Sequence, residues 1–159
     1  MNFLLKKKTE LSGKKATIYT VELTDGTDLF EQFLSENRGD YDDDLSDILQ
    51  RIRSMATKTG AQVHFFKTKE GKPGDGVCAL YDNPGKNLRL YCIRMGNAVV
   101  ILGGGGPKKT QKLQQDPKLK EENYLLRKVS ELITEKMVSK EICFSDDEME
   151  LKGEIIDHD

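Results

Sequence analysis

Residues 86 to 112, KNLRLYCIRMGNAVVILGGGGPKKTQK, constrain what this chain can fold into more than any other stretch. Two apolar runs of strand length flank Met95-Gly96-Asn97. A gap that short suits an antiparallel turn and leaves no room for a crossover. With Val77 to Asp82 just upstream, the spacing predicts three strands, 77–82, 87–95 and 97–103, in an antiparallel meander. The second run continues through Gly103 to Gly106 into Pro107 and the pair Lys108-Lys109. The glycines lack the spacing and the Lys-Ser/Thr ending of a nucleotide-binding P-loop. They read either as a flexible loop or as backbone open enough for its amides to approach an anion.

Charge is distributed unevenly. Between Lys86 and Lys128 there are ten Lys/Arg against three acids, whereas residues 141 to 159 hold eight acids and one lysine. The net charge of −2 hides this polarity. A polyanion suits the basic third, and the acidic end reads as a solvated tail or as a segment that folds over the basic surface. A second acidic cluster, Asp40 to Asp47, fits the positive end of a helix. No apolar run approaches the roughly 20 residues that span a bilayer, and the N-terminus is unlike a secretory signal, so a cytoplasmic protein is expected. Cys78, Cys92 and Cys143 are too widely spaced for a zinc or disulfide framework, and the first two fall in strands as core residues.

At 159 residues the chain fits one domain, 1–140, followed by the acidic tail 141–159. Residues 2–8 and 15–23 form an N-terminal hairpin about Ser12-Gly13. Asp28 with Glu31 three residues later has the form of a capping box for a helix carrying Leu29, Phe30, Phe33 and Leu34. Leu45, Ile48, Leu49, Ile52 and Met55 make one buried stripe of a second helix over 41–58, closed by Gly60. Asp116-Pro117 opens a last helix over 117–139.

In that order the elements resemble the RelE/ParE toxin superfamily, most closely its HigB-like, phage-derived branch. The matching segments are Val21-Glu22-Leu23-Thr24-Asp25-Gly26 before the Phe30-Glu31-Gln32-Phe33-Leu34 helix, the second helix ending at Gly60, Gly76 to Asp82, Leu88-Arg89-Leu90-Tyr91, and Val99 to Leu102 followed by Lys108-Lys109-Thr110-Gln111. The resemblance covers about residues 16 to 137. It implies an α+β fold: a small antiparallel sheet with two N-terminal helices packed on one side, a basic concave surface on the other, an N-terminal hairpin extension and a C-terminal helix. It implies a toxin of a type II toxin–antitoxin system that cuts mRNA on the ribosome through the RNA's own 2′-hydroxyl, without metal or cofactor. Its partners would be an antitoxin encoded nearby, the ribosome and mRNA.

On this sequence the catalytic roles fall to Arg89, Lys108 and Lys109, which would converge on one solvent-facing surface, with Arg94, Tyr91, Lys86 and Lys112 contacting RNA. A guanidinium grips phosphate oxygens in bidentate fashion, although an arginine here also suits a pair with a nearby carboxylate. Tyr91 either stacks on a base or belongs to the core. The family's proton-transfer position falls on Gln114 and Gln115, which transfer no proton usefully, and His64 and His158 lie elsewhere. Two other readings therefore stand beside the endonuclease: a non-catalytic protein of the same fold that binds RNA or a protein partner, and a gyrase-directed inhibitor of the ParE kind.

Overall fold

The computed structural model describes residues 1–68, 70–71, 75–80, 87–108 and 116–157. Its centre is the predicted meander. Strands β4 (Val77–Leu80), β5 (Leu88–Met95) and β6 (Val99–Pro107) pair antiparallel in sequence, because Gly96 at φ 71° turns the chain back on itself between the last two. The N-terminal hairpin also forms: β1 (Phe3–Lys7) runs antiparallel to β2 (Thr17–Leu23), in register from Phe3↔Leu23 to Lys7↔Tyr19.

The small antiparallel sheet is corrected to a larger, mixed one. Strand β2 lies parallel to β6, with Thr17 opposite Val99, so the hairpin is built into the sheet and is no extension of it. Strand β3 (Phe66–Lys67) adds one edge and β9 (Ile156–Asp157) the other, giving seven strands in the order β3-β4-β5-β6-β2-β1-β9. The fold remains α+β.

Two helices cover one face. Helix α1 (Leu29–Asn37) is capped by Asp28, whose carboxylate accepts the Phe30 and Glu31 amides, each at 3.1 Å. The same carboxylate accepts the Thr20 hydroxyl at 2.7 Å and pairs with Lys8 at 2.9 Å, tying the helix start to the sheet. Helix α2 (Asp42–Ser54) has Asp42, Asp43 and Asp44 in its first turn, widens into a π turn over Met55–Thr59, and ends at Gly60 at φ 77°. Its stripe of Leu45, Ile48, Ile52 and Met55 joins Phe30 and Phe33 against Leu90, Cys92 and Leu102.

The opposite face, expected to be an open basic surface, is covered as well. Helix α3 (Pro117–Val138) lays Leu119, Leu126, Val129 and Ile133 over Tyr19, Tyr91, Ile93 and Ile101. Burial on both faces removes the alternation of apolar and polar residues along the central strands: β6 is buried from Val99 through Gly106. The acidic C-terminal segment is also ordered. Strands β7 (Ile142–Phe144) and β8 (Leu151–Gly153) form a hairpin, and Leu5 donates its amide to Ile155 beside β9. Ile142 and Leu151 are buried, the Leu151 amide donates to the Tyr19 hydroxyl at 3.0 Å, and Glu150 pairs with Lys7 at 2.5 Å. The acids thus answer lysines at the β1 edge and, through Glu141 and Glu154, at Lys136 near the end of α3. Among the described residues, no helix is long and apolar enough to cross a membrane.

Candidate nucleic-acid interface

Arg89 and Tyr91 occupy alternate positions of β5 on the side that α3 covers, since Tyr91 packs in the cluster with Leu119 and Leu126. The Arg89 side chain is 12 % exposed and its Nη1 lies 3.4 Å from Oε1 of Glu70. That is long for a charge-assisted hydrogen bond, but it answers the charge in a half-dry site. Glu70 is held there by its own backbone. Its carbonyl accepts Nδ2 of Asn123 at 2.9 Å and both Nε and Nη2 of Arg127, at 3.2 and 2.8 Å. Ser130 donates its hydroxyl to the Asp75 carbonyl at 2.6 Å. Helix α3 is therefore bonded to both described ends of the β3–β4 connection, and that connection places a carboxylate beside Arg89. The carboxylate pairing left open by the sequence is the arrangement found.

Tyr91 is fully buried. Burial pushes its hydroxyl up to about 12, the negative charge of Glu70 adds to the shift, and Arg89 opposes it. The hydroxyl is un-ionised at neutral pH and the ring has no face open to a base, so the core reading of Tyr91 is the one the fold adopts.

The glycine run is neither loop nor anion cradle. It is strand, with a bulge: Leu90 faces Gly105 and Cys92 faces Leu102, leaving Gly103 and Gly104 opposite Tyr91. A Cβ on Gly103 would lie 2.9 Å from Leu126, one on Gly104 would meet the Glu122 carboxylate, and one on Gly105 would run into the Arg89 carbonyl. The glycines let α3 and β5 come close.

Lys108 continues β6 into solvent and donates its amide to the Asn87 carbonyl at 2.7 Å. Asn87 and Leu88 in turn donate theirs to the buried Asp44 carboxylate, at 2.7 and 3.3 Å. Lys108 thus lies at the same end of the β5–β6 pair as Arg89, but Arg89 itself does not face solvent. Arg94 stands at the other end, about 17 Å along the strand at the usual rise. Its Nε donates to the Ala61 carbonyl at 2.7 Å and its Nη2 to Asn97, a brace for the β5–β6 turn. Lys86, Lys109 and Lys112 lie outside the described residues, as do Gln114, Gln115 and His158.

Sequence reasoning missed the outer surface of α3. Tyr124 is 45 % exposed, with the Lys120 ammonium 5.7 Å and the Arg127 guanidinium 4.9 Å from its ring centroid. The residues fall at i, i+4 and i+7, which places them on one helix face, so the signal was present in the spacing. Lys128 is exposed next to them and Glu131 closes the face one turn later. An aromatic ring flanked by cations offers a stacking platform, with Lys120 and Lys128 as the phosphate partners beside it, since Arg127 already gives Nε and Nη2 to the Glu70 carbonyl. Lys118, by contrast, is bound by Glu122 at 2.8 Å and Glu36 at 3.2 Å, so it bridges α3 to α1. Comparison with protein-family models, curated proteins and solved structures finds no match to this chain.

Proposed function

We propose that this chain is a RelE/HigB-like protein that binds RNA on the outer face of α3 and does not cut it. The observation that carries the reading is the half-exposed Tyr124 between Lys120 and Arg127, set against Arg89 and Tyr91 beneath the same helix. The family part of the reading is supported by the chain order of strand, two helices, antiparallel meander and helix, with both early helices on one sheet face. Each base stacked on an aromatic side chain contributes roughly 1–3 kcal/mol. Tyr124→Ala should therefore weaken single-stranded RNA binding by about 5- to 150-fold in a fluorescence anisotropy titration, while the RNA runs intact on a denaturing gel. Unchanged affinity in Tyr124→Ala rejects the platform.

One observation favours a second reading, the ribosome-dependent endonuclease of a toxin–antitoxin pair. Glu70 places a carboxylate, a group able to move a proton, beside the arginine expected to hold phosphate. Under that reading induced expression arrests growth, Arg89→Ala relieves the arrest, and mRNA from arrested cells carries new 5′ ends within codons. Co-expression of a protein encoded next to this one would relieve it too. Absence of new ends despite accumulation of the protein rejects cleavage and leaves binding.

A further inference from the structure

The remaining concentration of uncompensated charge lies on the other side of the molecule. Lys14 and Lys15 sit in the β1–β2 connection, Arg53 and Lys58 at the end of α2, and tertiary packing brings the two pairs together. The amides of Lys15 and Ala16 both donate to the Ala56 carbonyl, at 2.7 and 3.2 Å. Gly13 packs so closely that a Cβ there would lie 2.6 Å from that same oxygen and 2.9 Å from Cγ2 of Thr57. The lysine loop is thus fastened across the last turn of the helix. All four cations are exposed, and no ion pair involves them among the described residues. Arg51 on the neighbouring face is different, because Asp47 answers it at 3.2 Å.

Beside these charges the outer face of α2 and its π turn forms a shallow, open cleft of about 580 Å³, lined among the described residues by that one helix alone, to which Arg53 and Lys58 contribute cations, Ser46, Ser54 and Thr57 hydroxyls, and Gln50 an amide, with Leu49 as its apolar floor. No carboxylate is among its described lining residues. The acids nearest this side are Asp47, about 9 Å along the axis from Arg53 at the usual rise and already engaged by Arg51, and the exposed Glu10 in the same connection as the two lysines. Four like charges held this close repel one another unless a polyanion answers them.

We infer that this cleft and the lysine loop beside it form a second polyanion site, which takes the phosphate backbone of a nucleic acid. The donor set decides between a nucleic acid and an acidic protein. Lysine, arginine, hydroxyl and amide groups are what phosphates are held by. A protein partner anchors instead on a desolvated aromatic or aliphatic pocket, and one partly covered leucine does not supply it. No aromatic ring is among the described lining residues, so binding reads backbone and not base. Because α1 and α2 cover one sheet face and α3 the other, this site and the Tyr124 platform look away from each other across the sheet. The protein then grips two segments of nucleic acid at once, on opposite sides.

The inference stands apart from the reading of the α3 face, and one experiment separates the two. The full chain, a charge-reversed variant (Lys14→Glu, Lys15→Glu, Arg53→Glu, Lys58→Glu), the milder Lys14→Gln/Lys58→Gln and Tyr124→Ala are titrated with 20-nucleotide RNA and single-stranded DNA from 50 to 200 mM salt. Each phosphate of a single strand that the protein ceases to neutralise flattens the slope of log K against log[salt] by about 0.7, so the reversed variant should lose roughly 2–3 from the slope and at least tenfold in affinity at the lowest salt. The milder variant should lose about half of that slope change, and being two surface neutralisations it keeps the test informative if the reversed chain fails to fold. Equal losses on RNA and DNA assign the cleft to phosphate alone; a loss on RNA only assigns it to the ribose-phosphate backbone. An unchanged slope in both charge variants while Tyr124→Ala weakens binding overturns this inference and leaves the α3 reading standing. The reverse pattern overturns the α3 reading alone, and failure of the unmodified chain to bind either strand overturns both.

Discussion

The packing of the glycine run predicts a graded response to one methyl group. Alanine at Gly106 meets Cγ of Lys118 at 3.4 Å and Cδ2 of Leu119 at 4.0 Å, both ordinary contacts. Gly106→Ala should be neutral or stabilising by roughly 0.4–1 kcal/mol through the reduced freedom of the unfolded chain. Alanine at Gly103 meets Leu126 at 2.9 and 3.0 Å and the Tyr91 carbonyl at 3.2 Å, so the leucine must move within a filled core. Overpacking of that kind costs about 1–3 kcal/mol. Alanine at Gly105 collides with the Arg89 carbonyl, which is backbone in the neighbouring strand and has no rotamer to yield, so its cost should exceed about 3 kcal/mol. At roughly 2–4 °C per kcal/mol for a chain of this size, Gly103→Ala should lower Tm by about 2–12 °C and Gly105→Ala by more. Urea titration measures the same order as shifts in midpoint at constant m-value. If all three variants unfold within about 0.5 kcal/mol of the parent, the run is a loop that tolerates side chains, and the close seating of α3 on β6 is wrong.

Leu151→Ala, in the segment whose composition suggests a solvated tail, should cost roughly 2–5 kcal/mol, because the side chain is fully buried; calorimetry showing no change would return that segment to solvent. Asp28→Ala removes the α1 cap and leaves the poorly exposed Lys8 without that partner, so a loss of at least about 1–2 kcal/mol is expected in urea. Burial raises the Asp28 carboxyl, but its bonds from Lys8 and Thr20 and the amide of Glu31 overcome this and hold it below the usual carboxylate range. Its contribution is therefore complete above about pH 3.9 and is lost as pH falls through the folded value, so the Asp28→Ala variant should show a flatter acid limb than the parent in stability measured from about pH 6 to 2. Ser130→Ala removes the bond to Asp75 and should cost about 0.5–1.5 kcal/mol, with amides near Asp75 exchanging faster by hydrogen-exchange mass spectrometry; unchanged protection there would separate the connection from α3.

Local chemistry was enough for the elements whose signals are local. The 117–139 helix appears as Pro117–Val138 because Asp116 accepts the Leu119 amide and proline fits the first turn. Asp28 caps α1 as its spacing from Glu31 suggests, although the Glu31 carboxylate turns to Lys8 at 3.0 Å. The β5–β6 turn is fixed by a left-handed glycine within three residues of both strands. What the sequence could not express were relations between distant segments. A glycine run has the same local signature in a loop and in a strand, and only the arrival of α3 across β6 distinguishes them. Counting ten cations over residues 86–128 could not reveal that Arg89 answers an acid 19 residues away and Lys118 one 82 residues away. The same limit hid the pairing of Lys14 and Lys15 with Arg53 and Lys58, because charge acts through space and the chain's order along the sequence does not record who is near whom.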